Sequence, residues 1–133
     1  MLTDLKSKSG FSMDAANYLM SGCHYIAVPH SAYYSCFQLM TFVWMKHKGL
    51  TLTDLKENAD ISKIGTHKYL TNELFELLKS KNKKDSVKFN SLLQELKNIR
   101  TDADYKERQI DIEISHQSIR KATEINLILK SLC

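Results

Sequence analysis

One proline and four glycines in 133 residues are too few for a fold of many tight turns. That scarcity points instead to long helices joined by short connections. There is no apolar run long enough to cross a bilayer: the richest stretch, residues 32–45, is short and broken by polar side chains. Residues 1–10 are polar, so no signal peptide is expected. The three cysteines, Cys23, Cys36 and Cys133, form no C-x-x-C pair and leave an odd count. A reduced, cytoplasmic chain is the simplest inference, with Cys23 and Cys36 as small buried hydrophobes. Also missing are a glycine-rich phosphate loop, a G-x-S-x-G elbow and any H-x3-H or H-E-x-x-H pair. Glu113-Ile114-Ser115-His116 is a single E-x-x-H where a di-iron bundle needs two, so neither a metal nor another cofactor is expected.

The length suits one domain with a single core. A net charge of +4 permits an anionic partner without demanding one. Lys79, Lys81, Lys83, Lys84 and Lys88 are the nearest thing to a basic patch and read as a solvated connection with its flanking turns.

Hydrophobic periodicity divides the chain. Residues 1–11 read as a lead-in ending at Gly10, with Ser12 as N-cap and a first helix over 13–27. Pro29 suits the first turn of a second helix, residues 30–48, which is apolar around nearly its whole circumference. That predicts burial on most sides, as core and as a dimer surface. Residues 51–65 admit a short helix capped at Thr53-Asp54, and Thr66 caps a third main helix carrying Leu70, Leu74, Leu77 and Leu78. Residues 79–85 read as a charged connection, and 88–103 as a helix. Residues 109–115 alternate like a strand, but with no second strand to pair they read as a loop into a last helix capped near Asp111. The fold class expected is all-α, an up-and-down bundle of four long helices plus one short helix, with the bundle domain spanning 12–133.

The conspicuous local anomaly is at the end of the 88–103 segment. Phe89, Leu92, Leu93, Leu96, Ile99 and Ala103 form an apolar stripe, yet four residues beyond Leu96 comes Arg100, and four further Asp104. A cation and an anion thus fall on a face that has been apolar for three turns, the kind of broken local rule that marks functional or strained sites. One reading is an internal Arg–Asp pair fixing register, with little net stability because desolvation offsets attraction. The other is a groove arginine gripping phosphate, with Asp104 aiming the guanidinium. His67, at the start of its helix, could reach the same groove.

Three stretches together resemble the HEPN-domain family. Ser31-Ala32-Tyr33-Tyr34-Ser35-Cys36-Phe37 is similar to the aromatic-pair-then-Phe signature of its second helix. Thr66-His67-Lys68-Tyr69-Leu70 resembles its His-Lys start of helix three, and Arg100-Thr101-Asp102-Ala103-Asp104-Tyr105 an Arg-x-x-Ala-Asp-Tyr variant of its motif. The resemblance covers about residues 12–130. It implies a helical bundle, commonly a homodimer, from a prokaryotic toxin–antitoxin or defence system, often paired with a nucleotidyltransferase. Ribonuclease members carry a histidine four to six residues after the arginine. Here those positions are Asp104, Tyr105 and Lys106, and the next histidine is the distant His116. Ser31 and Gln38 also depart from the arginine and histidine common at those positions.

The reading that follows is a HEPN-like dimeric nucleotide- or RNA-binding or partner module, with no catalytic residue assigned. Arg100 would bind phosphate, Asp104 orient it, Tyr105 stack, and His67 line the groove. Tyr105 is also the residue that a partner nucleotidyltransferase would modify. The alternatives are a metal-independent RNA endonuclease using Arg100 with His67 or a tyrosine, and a purely structural bundle.

Overall fold

The computed structural model describes residues 2–133. Among these it has six α-helices: α1 (Leu2–Ser21), α2 (Val28–Lys48), α3 (Leu52–Ser62), α4 (Thr66–Lys81), α5 (Lys83–Tyr105) and α6 (Ile112–Lys130). A single 3-10 turn, Tyr25–Ala27, leads into α2. The all-α bundle is as expected; the sum of four long helices is corrected to five, α1, α2, α4, α5 and α6, each of which matches a segment read separately from the periodicity. No helix among the described residues is long and apolar enough to cross a membrane.

α2 is the spine. It packs against α1, α4, α5 and α6 and touches α3, so its apolar circumference is used within one chain. Val28, Ala32, Cys36, Val43 and Trp44 are fully buried, and Leu39 and Met40 almost so. The buried Trp44 tip finds a partner, as it must: Nε1 donates to Glu73 Oε1 at 3.1 Å. Gly49 ends the helix in the left-handed region (φ 65°), which suits a residue without Cβ.

The expected lead-in is instead the first half of α1; its first residue lies outside the described residues. Gly10, which suggested a break, sits inside the helix. What holds this half in place is close packing on α2 through small polar residues. Ser9 Oγ donates to the Ser35 carbonyl at 2.7 Å, and Ser35 Oγ donates to the Ser9 carbonyl at 2.8 Å. Ser12 is no N-cap; its hydroxyl donates to Gln38 Oε1 at 2.7 Å. The helix also stops earlier than 27. Cys23 takes φ 62°, and the His24 N–H turns back to the Leu19 carbonyl at 2.8 Å. Cys23 and Ile26 are therefore exposed rather than core. A Cβ at Gly10 would meet nothing within 4 Å. Gly10→Ala is accordingly expected to raise stability by about 0.5–1 kcal/mol, read as a higher urea midpoint with unchanged slope.

Two connections are tighter than expected. The charged segment 79–85 is helical except for Asn82, whose N–H bonds the Leu78 carbonyl while its Oδ1 accepts from the Lys84 and Asp85 N–H groups. One asparagine thus closes α4 and caps α5, and lysines continue a helix readily. α3 is capped by Thr51 rather than Thr53, in a reciprocal box with Asp54. Gly65, not Thr66, is the N-cap of α4. The cap at Asp111 is as expected: its side chain accepts from the Ile114 N–H at 2.9 Å.

Directions alternate along the chain, with the short α3 making the return between α2 and α4. Contacts of Tyr33 with His67 and of Trp44 with Glu73 show that α2 and α4 run parallel. His30–Asp104 and Tyr34–Arg100 show α5 running antiparallel to α2. A small second cluster of Ile99, Ala103 and Ile110, packed with Tyr25 and Ile114, pins the last turn of α5. That pin fixes where Arg100 and Asp104 point.

Candidate functional site

The site lies where the start of α2, the start of α4 and the end of α5 meet. α2 contributes His30, Tyr33, Tyr34 and Phe37, at i, i+3, i+4 and i+7 and hence on one helical face. α5 contributes Arg100 and Asp104 one turn apart, followed by Tyr105. α4 contributes His67.

The Arg100 side chain is 14% exposed. Its Nε lies 3.0 Å from Asp104 Oδ2, an ion-pair distance, although the N–H is poorly aligned and makes no hydrogen bond. The same oxygen, Asp104 Oδ2, also accepts from His30 Nδ1 at 3.0 Å. Arg100 Nη2 donates to the Tyr34 hydroxyl at 3.3 Å, a long bond. Three tyrosine rings, Tyr33, Tyr34 and Tyr105, surround the guanidinium carbon at 5.4–5.7 Å. The rings stabilise a cation in a partly dehydrated place. They leave the outer end of the fork, Nη1, without a protein acceptor among the described residues. An N–H at that end can donate a single charge-assisted bond to an anionic oxygen.

The neighbouring aspartate has a different task. Asp102 faces away and pairs with Arg108 at 2.8 Å and Lys106 at 3.7 Å, as its place on the opposite side of the helix predicts.

His67 forms a layer behind the arginine. Its Nδ1 is 2.8 Å from the Tyr33 hydroxyl. Its ring stacks on Phe37 with centroids 4.1 Å apart, and lies near-parallel to Tyr33. Burial pushes the Tyr33 phenol up to about 12, against the opposing pull of Arg100. We therefore assign Tyr33 as the donor to His67, which leaves the imidazole proton on Nε2. Burial, reinforced by Lys97 and Arg100, lowers the His67 pKa below its ordinary 6.5. The unfolded chain then takes up this proton before the folded one does. Stability is accordingly full above pH 6.5 and falls as the pH drops below it. Urea unfolding measured on either side of pH 6.5 should show that loss, and His67→Gln should remove His67's share of it.

Of the residues singled out from sequence, Arg100, Asp104 and Tyr105 come together directly, and His67 joins them through Tyr33. Tyr105 is 72% exposed, on the open side. The residues missed are His30 and the two tyrosine tips. A signal existed: His30 precedes Tyr34 by one turn on the face that also holds Tyr33 and Phe37. No motif, however, told which helix that face would meet. Among the described residues no group of three or more His, Cys, Asp or Glu is placed to hold a metal ion. A separate cavity of about 320 Å³ between α1, α2 and α6, lined by Lys6, Ser9, Gly10 and Asn126, lies away from this cluster. It lacks the convergence of cation, carboxylate, imidazole and stacking ring seen here.

No family model, curated protein or solved structure matches the chain.

Proposed function

We propose that the chain is a HEPN-like dimeric module that binds the phosphate of a nucleotide or RNA. We place it in the cytoplasm, in a prokaryotic toxin–antitoxin or defence system with a nucleotidyltransferase partner. The carrying observation is the Arg100 guanidinium, caged by three tyrosines and aimed by Asp104, with its outer end uncommitted. A phosphate oxygen there makes a charge-assisted bond in a place already stripped of much of its water. Tyr105 supplies an exposed ring beside it on which a base can stack. The motif resemblance supplies the assembly: two copies, and a partner enzyme for which the exposed Tyr105 hydroxyl is an accessible target.

The test is fluorescence polarisation of labelled single-stranded RNA, with sedimentation reporting the oligomer. Saturable, salt-sensitive binding that Arg100→Met removes supports the reading. Equal binding by the variant, or none by the parent, rejects it.

A further inference from the structure

A second groove runs along the outer side of the α4–α5 pair. α4 contributes Lys68, Asn72 and Phe75 to it, and α5 contributes Val87, Asn90 and Lys97. Within each set the positions are three, four or seven residues apart, so each lies on one helical face. Successive hollows share Asn72, Asn90 and Val87 as walls, and the last opens onto Lys83 and Lys84 at the start of α5. Lysines thus stand at both ends, Lys68 with Lys97 and Lys83 with Lys84. None of the four pairs with a carboxylate among the described residues. Between them Val87 is 56% exposed and Phe75 half-buried. Asn72 and Asn90 are exposed and line one hollow of about 290 Å³ together. Neither side-chain amide has a hydrogen-bond partner among the described residues.

We infer that this groove docks an extended segment of a partner protein, acidic at both ends and apolar between. The inference does not rest on the phosphate-binding reading above. Each asparagine amide offers an acceptor oxygen and two N–H donors, and an extended peptide backbone offers the complementary N–H and C=O. An apolar side chain of the segment covers Val87 and Phe75, which the fold leaves facing water. Its acidic residues meet the two lysine pairs. From Lys84 to Lys97 α5 rises about 20 Å, a distance that about six extended residues span. The segment is extended because a helix has already paired its backbone groups internally and would leave the two amides unused.

A nucleic-acid backbone fits the groove less well. A phosphodiester has acceptors and no donor, so the oxygens of both amides would stay unpaired. The carboxylates of Glu76 and Glu95 line the middle of the groove and repel a continuous run of phosphates. A polypeptide that carries its acidic groups only at the ends keeps them away from both.

The experiment selects from a displayed library of random heptapeptides on the full chain, then measures the labelled winners by fluorescence polarisation. Winners should carry Asp or Glu near both ends and an apolar residue between. Asn72→Ala and Asn90→Ala should each weaken their binding by about three- to tenfold, with circular dichroism confirming the fold. Lys84→Glu combined with Lys97→Glu should lose the winners and gain the same peptides with lysine in place of each acidic residue, a swap that a merely structural effect would not produce. An empty selection, winners of another composition, or binding that the four substitutions leave unchanged overturns the inference. So does single-stranded RNA that displaces the winners and is itself weakened by Asn72→Ala and Asn90→Ala, because the groove then belongs to RNA. None of these results except the last bears on phosphate binding at Arg100, which the Arg100→Met measurement decides separately.

Discussion

Arg100→Met is expected to weaken RNA binding by about ten- to a hundredfold while leaving the fold as stable as before or more so. The size follows from what the side chain offers. A charge-assisted hydrogen bond to an anion contributes about 1.5–3 kcal/mol, and each 1.4 kcal/mol is about tenfold in affinity. The absence of a stability cost follows from the pair's surroundings. Arg100 and Asp104 are mostly dehydrated, with side chains 14% and 21% exposed, and their contact is not aligned as a hydrogen bond. Replacing the cation by an unbranched apolar chain removes its desolvation cost, which offsets the lost cation–π contacts, and the tyrosine cage accepts a thioether. Asp104 keeps His30 as its donor and is not stranded. The salt dependence gives an internal control: losing one phosphate contact should flatten the slope of log affinity against log salt by about 0.7. A purely structural pair predicts the stability result without the binding result. The two measurements therefore separate the readings.

How much of this could be read in the sequence depends on whether a pattern is local to one helix. The all-round apolarity of α2 forecast its burial, and the Asp111 cap and the anomaly at Arg100 and Asp104 lay within single turns. The miss at α1 has a different origin. Gly10 resembles a helix end, and a stripe of Leu5, Ser9, Met13 and Ala16 resembles little in hydropathy. Yet Ser9 is 5% exposed because its hydroxyl is satisfied across the α1–α2 seam by Ser35. Polar residues that bury themselves through partners in another helix leave no periodic apolar trace. Asn82 hid for the opposite reason. A lysine-rich run looks like a solvated loop, although a single capping side chain between two helices suffices to turn the chain. His30 was illegible because its significance is a register between α2 and α5, seventy-four residues apart in sequence, set by core packing elsewhere.

That register depends on α2 holding its place, which makes the second large effect a matter of the core. Trp44→Ala should cost about 3–5 kcal/mol, the range for truncating a fully buried large aromatic. Trp44 has 0% of its surface exposed, packs edge-on against Tyr69 at 6.4 Å, and is pinned by Glu73. Truncation opens a cavity at the centre of the spine, where α2 and α4 meet and relaxation is restrained by the other helices around α2. Glu73 loses one donor but keeps Tyr69 and Lys48, so an unpaired carboxylate adds little to the loss. Against the total of about 5–15 kcal/mol usual for a domain, about a fifth or more of the stability disappears. In a chain of this length the thermal midpoint should fall by about 10–20 °C. Trp44 is the sole tryptophan, so circular dichroism rather than fluorescence must follow the transition. A drop of less than about 1 kcal/mol would mean that the packing around α2 is looser than described. The site gives the complementary reading. Trp44 lies ten residues beyond Tyr34, about 15 Å along the helix, and touches none of the Arg100 cluster. At a temperature where the variant is still folded, RNA affinity per folded molecule should match the parent, whereas Arg100→Met should lose affinity without losing stability. Opposite responses from two residues lying against the same helix would place stability in its middle and recognition at its beginning.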